Sequence, residues 1–361
     1  MSDLKDIRLK INEIDKEMAK LFEERMKASA EVAEYKKQHA LPIFDSSREA
    51  ELINKNLQYI NDEQLKQYYV NFLKSTMDIS KNYQSSLLNG LKVAYSGVKG
   101  AFAYIACQKM FPNATYVSYL SFNEAYKACE NGECDVCVLP LENSFAGEVG
   151  LVMDLMFSGS LYINQVYELE VTHNLIAKKE TSIDKIKKVY SHKQALDQCV
   201  DFINEYKFEV VEAPNTAWAA KYVSEQDDET IAAIASSDTA SIYDLSVLQS
   251  NINVSNTNTT RFGAFCRCLN KNTSSKSDEH CILVFTVKNE AGALAKTLNI
   301  IGSHGFNMRS LRSRPMKELI WNYYFYVELE GNINSQEGKD MIRALSIFCD
   351  KLKVVGVYNK L

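Results

Sequence analysis

The first 88 residues have the apolar spacing of amphipathic helices. Apolar residues recur three or four positions apart from the N-terminus onward, at Leu4, Ile7, Ile11, Ile14, Met18, Leu21, Ala28, Val32 and Tyr35. This pattern predicts one long helix. A short helix is expected after Pro42, where Asp45 or Ser46 can act as N-cap. A second long helix is predicted from Asp62 to about Leu88, so the segment is all-helical.

Cations interrupt the apolar face of the first helix. Arg25 occupies a position where the repeat expects an apolar residue, and a buried guanidinium needs an anion. Lys36, eleven residues later, returns to within about 20° of the same face. Arg8 lies about 100° round the helix, so it is expected to serve a partner's pocket. Ser80 and Gln84 share the inner face of the last helix. The alternative is a coiled coil in which Arg25 pairs with a buried Glu and Lys36 is solvated.

Strands and helices alternate from residue 91 onward, which predicts a doubly wound α/β protein of two lobes. The predicted strands are Leu91–Tyr95, Val136–Leu141, Tyr162–Glu170, Lys188–Tyr190, Phe208–Glu212 and Ile231–Ala235. The predicted helices are Ala101–Met110, one capped by Ser121, Gln194–Glu205, Thr216–Ser224 and Ala240–Tyr243. Ligands of such folds bind at the carboxyl ends of strands. The loops there begin at Gly97, at Glu142-Asn143-Ser144 and at Ser191.

Two of these loops partly resemble sites of other enzyme classes, a nucleotide-binding site and a hydrolase site, but the sequence favours neither. The Gly97 to Gly100 loop lacks the further glycines of a dinucleotide site and the Gly-Lys-Ser/Thr of a P-loop, so NAD or ATP binding is not expected. Ser191 precedes His192 without the Gly-x-Ser-x-Gly elbow of a hydrolase. Taken alone, Ser191 is better explained as a helix N-cap.

A polar stretch, residues 270–278, is the clearest linker in the chain. The pattern beyond it predicts a ferredoxin-like βαββαβ unit. Its predicted elements are Cys281–Val287, Gly292–His304, Asn307–Ser313, Trp321–Leu329, Glu337–Asp350 and Val354–Tyr358.

Composition narrows the class of protein. The chain has 361 residues, of which 46% are hydrophobic and 24% charged, and a formal net charge of -5. These values are typical of a globular protein with two or three domains, and they argue against a nucleic-acid surface. The charged N-terminus resembles no signal peptide, and no apolar run is long enough to span a membrane, so a cytoplasmic location is expected.

The nine cysteines are expected to be reduced and structural. Cys134 and Cys137 have a CxxC spacing, but the strand-like run between them would point their thiols to opposite faces. Cys266 and Cys268 share a strand face without a His or a second CxxC nearby. No metal site is predicted.

Residues 1 to about 88 resemble the all-helical chorismate mutase family, through Arg8, Arg25, Lys36, Asp45, Arg48, Glu49, Ser80 and Gln84. The resemblance implies a substrate, chorismate, that rearranges without a nucleophile and needs only fixed charge. It implies that Lys36 and Gln84 face the ether oxygen and that Glu49 holds the ring hydroxyl. It further implies that Arg25, Arg48 and an Arg8 from a second subunit bind the carboxylates, with Asp45 and Ser80 also in the substrate site.

Residues 91–268 resemble prephenate dehydratase. The matching motifs are Gly97 with Gly100, Glu142-Asn143-Ser144, Ser191-His192-Lys193-Gln194-Ala195 and Asn258-Thr259-Thr260-Arg261-Phe262. The resemblance implies that Thr260 gives a proton to the leaving hydroxyl and that Arg261 binds a carboxylate bidentately. Asn143, Ser144, Ser191 and Gln194 are implied substrate-binding residues. Val98 and Ala101 depart from the usual Pro and Ser or Thr.

Residues 279–361 resemble the ACT domain that senses phenylalanine. The resemblance rests on Gly292-Ala293-Leu294 and on Ser313-Arg314-Pro315, which it implies are regulatory residues. Arg312 stands where this family usually has Glu, and Ala291 where it often has Pro. On fold alone, such a unit could equally serve oligomerisation.

The three resemblances together imply a multidomain enzyme that converts chorismate to prephenate and prephenate to phenylpyruvate, under inhibition by phenylalanine. The expected domains are residues 1–88, 91–268 and 279–361, without cofactor or metal, in a homodimer or higher homo-oligomer. One alternative is a middle domain that acts on arogenate, the amino analogue of prephenate. The other is a non-catalytic clamshell that binds aromatic precursors, with the helices as a dimerisation module.

Overall fold

A computed structural model describes residues 3–41, 46–254, 257–270, 279–316 and 322–359. The chain divides into two compact units. The first, called the helical unit, is Met1–Leu91 with Asn113–Thr115, and the second is Lys92–Pro112 with Tyr116–Leu361. Most of the predicted linker, residues 271–278, lies outside the described residues, as does Asp45.

The helical unit consists of α1 (Leu4–His39), α2 (Ser46–Leu57) and α3 (Glu63–Leu87). This confirms the three predicted helices. Asp62 caps α3, because its side chain accepts a hydrogen bond of 2.9 Å from the backbone N–H of Gln64. The apolar residues Ala33, Leu73 and Met77 are buried between α1 and α3. The chain after α3 forms a 3-10 turn, Leu88–Gly90, where the sequence predicted only a stop at Gly90.

The second unit begins with the first lobe of an α/β domain. Its elements are β1 (Lys92–Ser96), α4 (Phe102–Met110), β2 (Thr115–Tyr119), α5 (Phe122–Glu130), β3 (Val136–Asn143), β4 (Gly147–Glu148), α6 (Gly150–Ser158) and β5 (Tyr162–Glu170). β1 and β3 are parallel. β3 is two residues longer than predicted, so Glu142 and Asn143 lie in a strand and not in a turn.

The second lobe has its own sheet. Its elements are β6 (Asn174–Ala177), β7 (Lys188–Ser191), α7 (Lys193–Gln198), α8 (Val200–Tyr206), β8 (Glu209–Glu212), α9 (Thr216–Glu225), β9 (Ile231–Ala235), α10 (Ser237–Ile242) and β10 (Ser246–Gln249). The strand order is β10-β6-β9-β7-β8. β7 is parallel to β8 and β9, whereas β6 is antiparallel to β9 and β10. The single helix predicted over Gln194–Glu205 is wrong, because the helix breaks at Cys199 into α7 and α8.

The chain then returns to the first lobe as β11 (Thr259–Cys266), which pairs antiparallel with both β3 and β5. The two segments that cross between the lobes run side by side. Val171 donates a backbone hydrogen bond of 2.8 Å to the carbonyl of Asn258, and Ile252 donates one of 2.9 Å to that of His173. Asn258 therefore lies at the junction of the lobes.

The C-terminal part of the second unit, called the C-terminal unit, has the predicted element order βαββαβ. Its elements are β12 (Glu279–Val287), α11 (Ala293–Ser303), β13 (Asn307–Pro315), β14 (Tyr323–Glu330), α12 (Gln336–Phe348) and β15 (Cys349–Asn359). β15 pairs with β5 through Gly356 and Ile163. This pairing joins the C-terminal unit and the first lobe into one sheet, in which the strand order is β13-β14-β12-β15-β5-β11-β3-β1-β2, with β4 beside β3.

Within the described residues no helix is long and apolar enough to cross a bilayer. Cys134 and Cys137 are both buried as free thiols. The same part of the chain holds no group of three or more His, Cys, Asp or Glu side chains that could bind a metal ion.

Candidate active sites

The first candidate site lies where β3 and β11 meet. Thr260 is opposite Asn143 and Arg261 is opposite Glu142 in the register of the two strands. Successive side chains of a strand point to opposite faces. Thr260 and Asn143 therefore share one face of the sheet, while Arg261 and Glu142 share the other.

The side chain of Asn143 is fixed by hydrogen bonds at both ends. Its Oδ1 accepts from the backbone N–H groups of Phe145 and Ala146, each at 3.0 Å. Its Nδ2 donates to Thr260 Oγ1 at 2.9 Å and to Asn258 Oδ1 at 2.7 Å. Among the described residues, no acceptor takes the hydroxyl hydrogen of Thr260. That hydrogen is available to a bound molecule.

A chain of polar groups continues from Asn258 toward the second lobe. Asn258 Nδ2 donates to Gln198 Oε1 at 2.9 Å, and the same oxygen lies 3.0 Å from His173 Nε2. Burial lowers the pKa of His173, which favours a neutral ring that donates through Nε2. Sequence reasoning missed Gln198 and His173. Gln198 follows the motif that ends at Ala195 by three residues, and the fold brings it and His173 to Asn258.

The structure does not bring the side chain of Arg261 together with that of Thr260. Arg261 instead binds the carboxylate of Glu328 bidentately, at 2.9 Å and 2.8 Å, and Glu142 Oε1 at 2.6 Å. Burial alone would lower the pKa of Arg261, but the hydrogen bonds and charges of Glu328 and Glu142 raise it above its usual value. The alternation of side chains along β11 is the physical reason for this separation.

The remaining predicted residues of this site differ in their surroundings. Ser144 Oγ donates to the carbonyl of Thr257 at 2.9 Å and accepts from the N–H of Thr259 at 3.0 Å, so it holds the segment before Thr260. Ser191 is fully buried, and its hydroxyl donates to the carbonyl of Ile234 at 2.6 Å. Ser191 is not the N-cap of α7 either. His192 is, through an Nδ1 that accepts from the N–H of Gln194, whose side chain is exposed.

The second candidate site lies in the helical unit, between α1 and α3. Arg25 hydrogen-bonds to Ser80 Oγ and lies 3.3 Å from the carbonyl of Thr76. Burial lowers the pKa of Arg25. Gln84, one turn after Ser80, is buried, and its Oε1 has no partner among the described residues. Lys36 is half-buried. Arg25 and Ser80 are thus in contact, and Gln84 lies one turn from Ser80 along α3.

Other predicted residues of the helical unit lie apart from this group or are engaged elsewhere. Glu49 forms an ion pair of 2.9 Å with Lys81, a residue that sequence reasoning missed. Arg48 is largely exposed beside Glu51, at 3.1 Å. Arg8 is exposed on α1, and seventeen residues of helix place it about 25 Å from Arg25 along the axis. Arg8 cannot reach the site of its own chain.

Comparison with known proteins follows this division of the chain. Residues 7–85 match the family of type II chorismate mutases, residues 93–268 the prephenate dehydratases, and residues 282–346 the ACT domain. The bifunctional chorismate mutase/prephenate dehydratase of Aquifex aeolicus is 32% identical over 371 residues, which cover 100% of this chain and 99% of that protein. The chain belongs to this bifunctional family.

The protein is therefore an enzyme of phenylalanine biosynthesis. It rearranges chorismate to prephenate, and it dehydrates and decarboxylates prephenate to phenylpyruvate. The ACT domain implies feedback inhibition by phenylalanine.

Solved structures resemble the dehydratase and ACT portions. A prephenate dehydratase from Arthrobacter aurescens in complex with L-Phe is 25% identical, with a TM-score of 0.68, over 75% of this chain and 90% of its own. A protein described as a novel type of quorum-quenching acylase is 27% identical, with a TM-score of 0.70, over 75% of this chain and 98% of its own.

The predicted regulatory residues lie at two places in the ACT domain. Gly292 is the N-cap of α11 with a φ of 80°, a conformation that favours glycine, and Ala293 and Leu294 begin that helix. Ser313, Arg314 and Pro315 end β13. Arg314 Nε lies 3.2 Å from Asp154 on α6 of the dehydratase domain, and Tyr324 also donates to Asp154, at 2.8 Å. Arg314 thus links the ACT domain to α6.

Proposed function

We propose that Thr260 is the proton donor of the dehydratase reaction and that Asn143 activates it. The observation that carries this proposal is the 2.9 Å hydrogen bond from Asn143 Nδ2 to Thr260 Oγ1. A donor directed at the hydroxyl oxygen stabilises negative charge there, and so makes the hydroxyl a better acid. The fixed orientation of Asn143 supplies that stabilisation without reorganisation during the reaction.

In the proposed step, two bonds of prephenate break together. The C–O bond of the ring hydroxyl breaks while Thr260 gives its proton to the departing oxygen, which leaves as water. The bond between the ring and its carboxylate breaks in the same process, carbon dioxide leaves, and the electron pair of that bond completes the aromatic ring. Thr260 regains a proton from solvent, so the reaction consumes one proton and forms phenylpyruvate.

Gln194 remains our proposed substrate-binding residue of this site, whereas Asn143, whose side chain is hydrogen-bonded at both ends, acts through Thr260. Ser144 and Ser191 act indirectly in this proposal, because their hydroxyls already bond to the backbone. Arg261 is not assigned to substrate, since two carboxylates occupy its guanidinium.

Two substitutions test the role of Thr260. Thr260→Ser keeps the hydroxyl, whereas Thr260→Val keeps the shape and removes it. With prephenate as substrate, we expect the kcat of Thr260→Val to fall by about 10² to 10⁴, the range of general acid catalysis. Thr260→Ser should retain most of the activity. Equal kcat values for the two variants would refute the proposal.

For the mutase reaction, we propose that Lys36 and Gln84 stabilise the ether oxygen of chorismate. Arg25 binds a carboxylate in this proposal, with Ser80 beside it. Their common position between α1 and α3 supports these roles. Arg48 and Glu49, at the start of α2, are proposed to complete the site. Glu49 would release its ion pair with Lys81 and bind the substrate instead.

We further propose that the protein is a homodimer in which each α1 contributes Arg8 to the partner's mutase site. The apolar face of the first half of α1 supports this proposal. Between 45% and 62% of the surface of each of its side chains is exposed in the single chain, at Leu4, Ile7, Ile11, Ile14, Met18 and Leu21. Burying such a row against the same row of a second copy forms an isologous interface.

Mixing two inactive variants tests this arrangement. Arg8→Ala and Lys36→Ala dimers are mixed under conditions that allow subunits to exchange. If Arg8 acts across the dimer, each heterodimer has one intact site, and a statistical mixture recovers about a quarter of the wild-type mutase activity. The control is a mixture of Lys37→Ala and Lys36→Ala dimers. It measures the mutase activity contributed by subunits in which both Arg8 and Lys36 are intact. No recovery would place Arg8 outside the partner's site.

We propose the ACT domain, residues 279–361, as the phenylalanine-binding part, after the helical domain 1–88 and the dehydratase domain 91–268. The complex of the Arthrobacter aurescens dehydratase with L-Phe supports this assignment. Inhibition of phenylpyruvate formation by added phenylalanine, without a matching loss of prephenate formation from chorismate, would test it.

A further inference from the structure

Arg261 joins two strands of the dehydratase domain to the ACT domain. Its guanidinium contacts Glu142 on β3 and Glu328 on β14. Glu328 is 3% exposed and has a second partner, because the hydroxyl of Tyr358 donates to its Oε1 at 2.6 Å. Burial would raise the pKa of Glu328, but its bonds to Arg261 hold that pKa below the usual value, so the carboxylate is charged. The group is an ion pair in which Glu328 is buried, whereas Arg261 and Glu142 are partly exposed.

The ion pair lies directly behind the proposed proton donor. Arg261 follows Thr260 on β11, and Glu142 precedes Asn143 on β3. The bond between Arg261 and Glu142 on one face of the sheet therefore spans the same two strand ends as the bond between Asn143 and Thr260 on the other. A constraint on the bond between Arg261 and Glu142 therefore also constrains the distance between Asn143 and Thr260.

The backbone ladder between β3 and β11 is interrupted at this point, whereas the ladder between β5 and β11 continues through Thr259. The register between β3 and β11 shifts between Arg261 and Phe262, which marks a β-bulge. A bulge interrupts the ladder of backbone hydrogen bonds. The ion pair between Arg261 and Glu142 is then an additional link between the ends of β3 and β11. Glu328 is the most buried of the three charged groups there, and it belongs to another domain.

We propose that Glu328 of the ACT domain is a positioning residue of the dehydratase. It holds Arg261, and Arg261 holds the end of β11 so that Thr260 meets Asn143 in hydrogen-bonding geometry. This inference rests on the proposed role of Thr260. It makes the ACT domain a part of the dehydratase site's support even without bound phenylalanine.

The experiment uses the full-length protein with prephenate as substrate. Glu328→Gln removes the charge and keeps the shape. A displacement of about 1 Å at a reacting group can cost on the order of a hundredfold in rate, so we expect kcat to fall by about ten- to a hundredfold. The matched control is Glu330→Gln, two residues further on β14. Glu330 is paired to Arg309 at 2.7 Å and, among the described residues, forms no ion pair with Arg261, so its loss should leave kcat unchanged.

A double-mutant cycle separates positioning from general damage. If Glu328 acts through Thr260, Glu328→Gln should lower kcat in the wild-type background and should cause no further loss in a Thr260→Val background. Equal losses in the two backgrounds, an unchanged kcat of Glu328→Gln, or an equal loss in Glu330→Gln would overturn the inference. Wild-type activity of Thr260→Val alone would instead refute the proposed role of Thr260, and the inference with it.

Tyr358→Phe provides a variant that keeps both charges. It removes one hydrogen bond to Glu328 and one, of 2.9 Å, from Arg261. We expect a smaller loss of kcat, again confined to the background with Thr260. This variant keeps the inference testable even if Glu328→Gln does not fold, and an unchanged kcat in it would then count against the inference.

Discussion

At the scale of single residues, the direction of one hydrogen bond carries the proposed chemistry. Asn143 can only donate to Thr260, because its Oδ1 is occupied by two backbone N–H groups. The Thr260 hydroxyl can therefore donate its own hydrogen to substrate. An acceptor at position 143 would take that hydrogen instead and reverse the bond.

Asn143→Asp tests this direction. A carboxylate still accepts from the N–H groups of Phe145 and Ala146, so the turn is preserved, but it cannot donate to Thr260. We expect the dehydratase kcat to fall by about 10² to 10³, as for the loss of one preorganised donor. The control is the mutase rate of the same variant, which should not change. A dehydratase kcat near the wild-type value would show that Asn143 does not activate Thr260.

His173 gives a prediction about pH. Burial lowers its pKa in the folded state. The unfolded chain therefore binds a proton at a higher pH than the folded chain does. As pH falls below about 6.5, the ordinary value for histidine, protonation favours the unfolded state, and this loss of stability grows until the pH reaches the folded-state pKa.

The measurement is the thermal midpoint of the second unit at about pH 7.5 and about pH 5.5, a window chosen around the ordinary histidine pKa. The wild-type midpoint should drop at the lower pH. His173→Gln, which can still donate to Gln198, should show a smaller drop. His280, whose pKa is also lowered by burial, contributes to the drop that remains. An equal drop in both proteins would contradict the assignment to His173.

The residues of the dehydratase site were predictable from the sequence in part. Thr260 and Asn143 followed from their motifs. The sequence motif by itself does not show how the side chains of Thr260 and Arg261 are oriented. The strand that begins at Thr259 already implies opposite faces for Thr260 and Arg261. Glu328 carried no local signal, because only the pairing of distant strands brings it to Arg261.

At the scale of elements, the contact between β15 and β5 requires a glycine. A Cβ added to Gly356 would lie 2.3 Å from the carbonyl oxygen of Ile163, which is a backbone atom. The two strands could not keep this approach with any side chain at position 356. The pairing of β15 with β5 at this point thus requires glycine at position 356.

Gly356→Ala should destabilise the second unit by about 1 to 3 kcal/mol, the usual range for overpacking. Gly302→Ala is the matched control. Its Cβ would meet no atom within 4 Å, and alanine favours helix, so α11 should be unchanged or slightly more stable. Urea unfolding followed by circular dichroism compares the two. Similar midpoints for both variants would mean that the junction tolerates separation.

The elements of the helical unit and of the ACT domain were predicted more completely than those of the dehydratase domain. The three helices of the helical unit and the six elements of the ACT domain were all predicted. In the dehydratase domain the sequence did not predict β2, β4, α6, β6, β10 and β11. β6 is buried along its whole length, so it has no alternation, and strands this short gain their stability from neighbours rather than from their own sequence.

At the scale of the whole molecule, the order of three domains follows the order of the reactions and their control. Each domain was recognisable from its own residues, because helical charge patterns, strand-end motifs and βαββαβ patterns are local. The dependence of one domain on another was not recognisable, because it rests on contacts such as that between Glu328 and Arg261. One chain therefore holds two separate sites, and we propose that the dehydratase site requires Thr260.

The most direct test supplies chorismate alone to the full-length Thr260→Val variant and follows both products with time. We predict that prephenate forms at the wild-type rate and accumulates, while phenylpyruvate formation falls by at least about a hundredfold. Phenylpyruvate formation at the wild-type rate would contradict the role of Thr260. A parallel loss of prephenate formation would contradict the separation of the two sites.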